Sequence, residues 1–468
     1  MDWLQEVKQR EEQFLEDAKG LLRIPSVKDV SRATPDAPFG PEVKQALTYM
    51  LQLGERDGFI TKEVENVAGH IEHGDGEEIV GVLCHVDVVP AGKDGWQSQP
   101  FEPVVEDGKL IARGAMDDKG PTIAAYMALS LLKELGVPMK RKIRIIVGTD
   151  EESDWECVHT YFQKEEMPVL GFAPDADFPI IYAEKGIVDL DYTIGLSSKE
   201  TAVLRSFQSG ERYNMVPDEA TATVSKEIGE HVLDAFQTFL RKTESKGSLT
   251  ELEGELHITI KGKAHHAMAP QNGVNAGVLL ADFLYEQKDN LDEDAKQFVS
   301  FLHDVFLGDT TLSKVGMDHE NEELGDLTCN VGVIRYEAGG EGKIGCNIRY
   351  PSTFDFESEK VRLTQKASEY NLKESRYTNE KPHHVDKENP LIQTLQRVYE
   401  EQTGEEATLL TIGGGTYARS LNTGVAFGPM FPGREDVAHQ PNEYMYVEDL
   451  LRAAALYAQA MYELANAE

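Results

Sequence analysis

Hydrophobic positions along this chain follow two periods in turn. Residues 2–22, DWLQEVKQREEQFLEDAKGLL, place apolar side chains three and four apart, the spacing of one helix face, and residues 41–58 do the same. The period then vanishes. EIVGVLCHVDVV (78–89) is a nearly unbroken apolar run rich in β-branched residues, which predicts a buried strand. PTIAAYMALSLLKELG (121–136) reads as a helix, with proline in its first turn and glycine at its end. RKIRIIVG (141–148) reads as a second buried strand. Strands alternating with helices argue for an α/β domain with a mixed, largely parallel sheet.

Near residue 187 the pattern changes. Segments such as IVDLDYTI, ATATVS and ELHITIKG alternate apolar and polar positions, as half-exposed strands do, with a helix expected at about 226–243. LTCNVGVIRYEAGGEGKIGCNIRY (327–350) predicts two strands joined through a Gly-rich turn, and a helix follows at about 355–370. The α/β character returns with helical ENPLIQTLQRVYEEQTG, strand-like GVAFGPM and a helix from Val447 to the terminal Glu468. The expected organisation is a catalytic domain from 1–187 and 383–468, interrupted by an inserted α+β lid at 188–382. The insert is long enough for two small α+β units.

Charge narrows the partners. There are 82 acidic residues against 46 basic ones, a formal net charge of −36. That balance repels phosphate backbones and anionic lipid, so neither nucleic acid nor a membrane is an expected partner. The four cysteines, Cys84, Cys157, Cys329 and Cys346, form no C-x-x-C pair and no disulfide framework. The charged first helix lacks a signal peptide's basic start and apolar stretch, and no apolar run reaches the roughly 18 residues of a membrane span. A soluble cytoplasmic protein is the expectation.

Four short clusters carry candidate chemistry, each where a strand is expected to end. They are Cys84-His85-Val86-Asp87, Arg113-Gly114-Ala115-Met116-Asp117-Asp118-Lys119-Gly120, Thr149-Asp150-Glu151-Glu152-Ser153, and Ala173-Pro174-Asp175-Ala176-Asp177. Singly, each has an ordinary reading: a satisfied core histidine, a capped helix, a solvated acidic turn and a proline turn. Together they line up an imidazole and several carboxylates at the strand ends of one α/β domain, where open sheets bind ligands. On a strand His85 and Asp87 share a face. Histidine and carboxylate donors without cysteine suit a hydrolytic pair of zinc or manganese ions. The last segment adds His439 in Glu435-Asp436-Val437-Ala438-His439-Gln440.

The order H-x-D, then G-x-x-D-x-K-G, then D-E-E, then P-D, then a late histidine resembles the dinuclear zinc peptidase family. That family includes aminoacylases, carboxypeptidase G, acetylornithine deacetylase and bacterial dipeptidases. GKAHHAMAPQNGVNAG (262–277) is similar to the family's G-x-x-x-H-x-x-x-P-x-x-G-x-N-A signature. LCHVDVVPAG, ARGAMDDKGPTIAAY, GTDEESDW, LGFAPDADFP, SGERYNMVPD and TIGGGTYAR extend the likeness over essentially the whole chain, most closely to Xaa-His dipeptidases of Gram-positive bacteria. The resemblance implies a lid of two ferredoxin-like units and a site of two divalent ions, Zn2+ first, with Mn2+ or Co2+ as alternatives.

By position, Asp117 resembles the carboxylate shared by both metals. His85 and Asp175 would complete one metal's set, Glu152 and His439 the other's. Glu151 matches the general base that takes a proton from the attacking water. Asp87 matches the acid that orients His85. His266 matches a donor to the oxyanion, whereas the neighbouring His265 has no equivalent duty. Asn214 and Arg349 match lid residues that bind substrate, Arg349 through a C-terminal carboxylate. Gly414, Gly415 and Thr416 belong to a stretch resembling a loop of backbone donors at that carboxylate. The resemblance further implies a cis peptide after Asp117 and, because the lid is doubled, a monomer. The expected activity is hydrolysis of unblocked dipeptides, with Xaa-His and β-alanyl dipeptides as candidate substrates. The alternatives are an N-acyl amino acid deacylase or desuccinylase and, from another class, an inactive peptide- or metal-binding module.

Overall fold

The computed structural model describes residues 1–92, 94–196 and 202–467. The chain divides into two compact units. One comprises residues 1–183, 384–411 and 416–468; the other comprises 184–383 and 412–415.

The first unit is built on a nine-stranded sheet. Its order is Ile60–Val64, Ala68–His73, Lys142–Gly148, Ile79–His85, Leu170–Ala173, Gly424–Ala426, Ile180–Glu184 and His383–His384, with Leu409–Ile412 pairing off Ile180–Glu184. The four strands from Lys142–Gly148 to Gly424–Ala426 are mutually parallel, and the pairs flanking them are antiparallel. Every residue of Ile79–His85 is buried, as its apolar run predicts for a central parallel strand. Helix Lys119–Leu135 packs against the terminal helix Val447–Asn466. Gly136 ends the former in the left-handed region, φ 61°. Glu468, to which the terminal helix is expected to run, lies outside the described residues.

Two sequence expectations change here. The first helix is two, Trp3–Lys8 and Glu11–Leu22. Arg10 explains the break: its guanidinium donates to the Glu6 carbonyl at 2.6 Å, while its backbone N–H turns to the Val7 carbonyl instead. The strand expected over 78–89 stops at His85, after which Val88 N–H is drawn to the Ser26 carbonyl.

The second unit is one antiparallel sheet of eight strands. Its order is Lys246–Leu252, Glu255–Lys261, Glu219–Ser225, Leu204–Ser209, Thr328–Glu337, Glu341–Tyr350, Gly186–Gly195 and Lys373–Glu380. The latter four strands follow, with helices Glu293–Phe301 and Phe356–Ser368, a strand-helix-strand-strand-helix-strand path. The two halves are not separate bodies, because Leu204–Ser209 pairs with Thr328–Glu337 and makes the sheet continuous. Phe207, Phe236, Phe239, Phe283, Phe298 and Phe301 fill the core beneath the helices. The helix expected at 226–243 is a 3-10 turn, Lys226–Ile228, and a helix, Val232–Lys242, separated by Gly229 at φ 128°.

Candidate metal centre

Four of the first unit's loops leave the sheet at the carboxyl ends of its parallel strands or lead into a following helix. Strand Ile79–His85 delivers His85 as its last residue. Lys142–Gly148 is followed by the turn bearing Glu151 and Glu152, and Leu170–Ala173 by Asp175. Asp117 lies just before helix Lys119–Leu135, and His439 in the loop before strand Tyr444–Tyr446. This placement follows the general rule for open α/β sheets.

These residues form two trios that share one member. His85, Asp117 and Asp175 bring a ligand atom each to within 4.8 Å of one another, and so do Asp117, Glu152 and His439. Asp117 gives one oxygen to each trio. Its Oδ1 is 3.0 Å from His85 Nε2, and its Oδ2 is 2.9 Å from His439 Nε2. Asp175 Oδ2 stands 3.7 Å from His85 Nε2, and Glu152 Oε2 3.2 Å from His439 Nε2. The Asp117–Asp118 peptide is cis.

Glu152 Oε1 and Asp118 Oδ1 are buried here without a hydrogen-bond partner, and the buried His85 Nε2 and Asp117 Oδ1 face each other at 3.0 Å. Buried polar atoms are rarely left so. A histidine and carboxylates converging with free lone pairs are the donors that divalent cations take. Protonation reflects the same crowding. Asp117 and Glu152 push His439 up to about 10. Burial, with Asp117 beside it, lifts Glu152 to about 7. Burial also raises Glu151 well above the carboxylate range and raises Asp175. For His85 burial works downward, but the carboxylates of Asp117, Asp175 and Asp87 prevail and raise it.

Asp87 touches both the His85 ring and the glutamate turn. The nearest acceptor to His85 Nδ1 is the Asp87 backbone carbonyl at 3.1 Å, with the carboxylate Oδ1 at 3.4 Å. The carboxylate itself accepts the backbone N–H groups of Glu151 at 3.2 Å and Glu152 at 3.1 Å. One buried acid therefore anchors the turn that carries both glutamates.

Of the remaining expected residues, His266, Asn214, Arg349, Gly414 and Gly415 lie in the second unit and Thr416 in the first. Within the second unit the segments of His266 and Asn214 are paired: Met215 and His266 form a bridge, and Ala267 N–H donates to the Asn214 carbonyl at 2.9 Å. Burial, with Arg349 and His265 nearby, lowers the pKa of His266 and keeps it neutral. Its Nδ1 accepts Met268 N–H at 3.2 Å. Arg349 is buried and its Nε donates to Asn347 Oδ1 at 2.8 Å. His265 Nδ1 lies 3.3 Å from the His266 carbonyl. Gly414 and Gly415 follow strand Leu409–Ile412, and Thr416 precedes the 3-10 turn Tyr417–Ser420.

Sequence reasoning missed several residues that shape the centre. Tyr417 packs edge-on to the His85 ring, centroids 5.9 Å apart, and its hydroxyl meets Cys157 Sγ at 3.1 Å. A side chain at Gly148 would collide with that hydroxyl, so the strand must end in glycine there. Asp118 is fully buried and accepts His85 N–H and the Thr122 hydroxyl, each at 3.2 Å. Arg113 and Glu443 are buried beside Asp117. Arg113 stands inside a quoted motif and Glu443 four residues beyond His439, but nothing in either spacing signals a contact.

Comparison with known proteins adds three findings. The profile of peptidase family M20/M25/M40 matches residues 81–463. The chain is similar to "Putative dipeptidase YtjP" of Bacillus subtilis, 52% identical over 470 residues and the full length of both proteins. It is 48% identical to a "Putative dipeptidase" of Staphylococcus epidermidis over 467 residues, 99% of each chain. Among solved structures, the dipeptidase Dug1p of Saccharomyces cerevisiae superposes at TM-score 0.58 and 16% identity, covering 100% of this chain and 98% of the other. Human carnosine dipeptidase 1 superposes at TM-score 0.57 and 15% identity, with 99% and 98% covered.

Proposed function

The chain belongs to peptidase family M20/M25/M40 and is a metallopeptidase, and from that premise we propose that it hydrolyses unblocked dipeptides with two divalent cations. The observation that carries the reading is Asp117, whose two oxygens each face a separate trio of donors. His85, Asp117 and Asp175 would hold one cation; Asp117, Glu152 and His439 would hold the other. Such a pair, when bound, acidifies a water and polarises the carbonyl it attacks. The names of the full-length relatives favour a dipeptide over an acylated amino acid. Zinc suits the donors best, and manganese or cobalt would be accepted.

The chain's own residues divide the remaining work. Glu151 takes the water's proton and returns it to the leaving amine. Asp87 fixes the backbone of Glu151 and Glu152 and borders the His85 ring. In the second unit, neutral His266 is a donor for the oxyanion, and Asn214, Arg349, Gly414 and Gly415, with Thr416, bind the substrate's ends. The four described cysteines are free and buried, which suits the reducing cytoplasm. Among the described residues no helix is long and apolar enough to cross a membrane.

Metal analysis after chelation and refilling, coupled to a substrate panel, tests the reading. Two cations per chain and turnover of free dipeptides, including Xaa-His and β-alanyl peptides, are expected. Turnover of N-acetyl or N-succinyl amino acids alone would move the function to deacylation. Absence of turnover on every substrate would leave a binding module. Glu151→Gln should keep both cations and lose about 100- to 10,000-fold in kcat.

A further inference from the structure

Next to the metal centre lies a buried ion pair that the proposed chemistry does not use. Arg113 is 1% exposed and Glu443 is 0% exposed. Arg113 Nη1 donates to Glu443 Oε2 at 2.5 Å. The pair's other hydrogen bonds run to the backbone of residues assigned as ligands and of their immediate neighbours Met116 and Gln440. Glu443 Oε1 accepts the N–H of Met116 at 2.9 Å and of Asp117 at 3.2 Å. Arg113 Nη2 donates to the carbonyl of His439 itself at 3.2 Å.

The two loops joined here lie 330 residues apart in sequence at Arg113 and Glu443, and each needs holding. His439 sits in the left-handed region at φ 63°, a conformation a non-glycine residue keeps only when its surroundings fix it. Asn442, at φ 62°, is tied to the loop of Trp96: its Nδ2 donates to the Gly95 carbonyl at 2.8 Å and its Oδ1 accepts Gln97 N–H at 2.7 Å. The Trp96 ring lies 5.5 Å from the Arg113 guanidinium. Backbone hydrogen bonds complete the joint, with Ala112 N–H on the Glu443 carbonyl and Arg113 N–H on the Pro100 carbonyl.

A buried ion pair is a weak source of stability, since well-packed apolar residues usually serve as well or better. Its geometry here points to another role. We propose that Arg113 and Glu443 are positioning residues that set the separation of Asp117 and His439 before a cation arrives, and so set the affinity of the Asp117–Glu152–His439 trio. The inference rests on the ligand assignment above. Outer partners of metal ligands act in this way, by fixing orientation in advance. The cation held by Glu152 and His439 depends on both braced loops; the one held by His85 and Asp175 depends only on the Asp117 side. The losses on breaking the brace should therefore be unequal.

The test compares wild type with Arg113→Lys, Glu443→Gln and the apolar pair Arg113→Met with Glu443→Leu. Chelator competition with Zn2+ resolves two dissociation constants, and melting of the metal-free protein reports the fold separately. Glu443→Gln keeps an acceptor for both backbone N–H groups but turns an amide N–H toward Arg113 and leaves that guanidinium unpaired, so it should weaken the Glu152–His439 Zn2+ as the others do. Arg113→Lys and the apolar pair should weaken one Zn2+ by about 10- to 100-fold and the other by less. Excess Zn2+ should restore their turnover, which it would not do for a lost general base. An apolar pair that melts like wild type and binds both ions with unchanged constants would overturn the proposal. Should that variant not fold, hydrogen exchange of the wild-type metal-free protein decides. Slow exchange at Met116 and Asp117 supports a preset loop, and exchange at the open-chain rate overturns it. If wild type itself binds no Zn2+, the ligand assignment has failed, not the brace.

Discussion

At Asp117, oxygens of a single carboxylate stand 3.0 Å from His85 Nε2 and 2.9 Å from His439 Nε2, so each imidazole competes for it as a proton carrier or as a ligand. Without a cation the proton prevails. His439 is pushed up to about 10, His85 is raised, and Glu152 reaches about 7. Ligation needs neutral imidazole, so cations must displace these protons. Binding near pH 7 should therefore release protons, and apparent affinity should rise with pH until His439 deprotonates unaided at about 10. Calorimetry of Zn2+ binding in buffers of different ionisation enthalpy reads the proton count directly. Zero net release would refute protonated imidazoles in the metal-free site. His85, Glu152 and Asp175 were legible as candidates because each follows an apolar run read as a strand, whereas Asp117 and His439 were singled out with them as ligands only through the family resemblance. The sequence did not make legible that Asp87 anchors the Glu151–Glu152 turn, since that bond joins backbone N–H groups more than 60 residues away.

Individual elements were legible to the degree that burial alone decides them. Ile79–His85 and Lys142–Gly148 are buried strands whose apolar runs leave no other reading. The break between Trp3–Lys8 and Glu11–Leu22 was not legible, because it depends on which carbonyl the Arg10 guanidinium reaches. The joining of the second unit's halves was hidden as well, for pairing between Leu204–Ser209 and Thr328–Glu337 is a long-range choice. Asp309 in that unit shows how one side chain holds an irregular segment. Its carboxylate accepts the N–H and hydroxyl of Thr311, the Ser313 hydroxyl and the Lys314 N–H, at 2.8 to 3.0 Å. Burial opposes its charge, yet these bonds prevail and lower its pKa. A carboxylate with a lowered folded pKa stabilises above the ordinary carboxylate range, and that contribution fades as pH falls through the folded value. Asp309→Ala should cost about 1–3 kcal/mol near neutral pH. The difference from wild type should shrink in acid; denaturant melts of the metal-free proteins at pH 7 and pH 3 measure it. An equal cost at both values would mean that the charge plays no part.

For the molecule as a whole, the excess of 82 acidic over 46 basic residues first served only to exclude anionic partners. Five of those acids, Asp87, Asp117, Glu151, Glu152 and Asp175, are gathered at the candidate centre and carry the proposed chemistry. Of the others, Asp118, Asp309, Glu443 and Asp449 are buried among hydrogen-bond partners, and many of the rest lie at the surface. Assembly is the remaining property at this scale. Among the described residues the second unit is an eight-stranded sheet with its own aromatic core. We propose a working monomer, in which every group the reaction uses comes from one chain. Glu151→Ala and His266→Ala should each be inactive. A mixture of the two should stay as inactive as its parts, because chains that do not share a site cannot repair one another. Sedimentation should give the mass of a single chain at assay concentration. Activity regained on mixing, together with a dimer's sedimentation, would mean that His266 serves the partner's centre; a dimer without regained activity would mean that association is separate from catalysis.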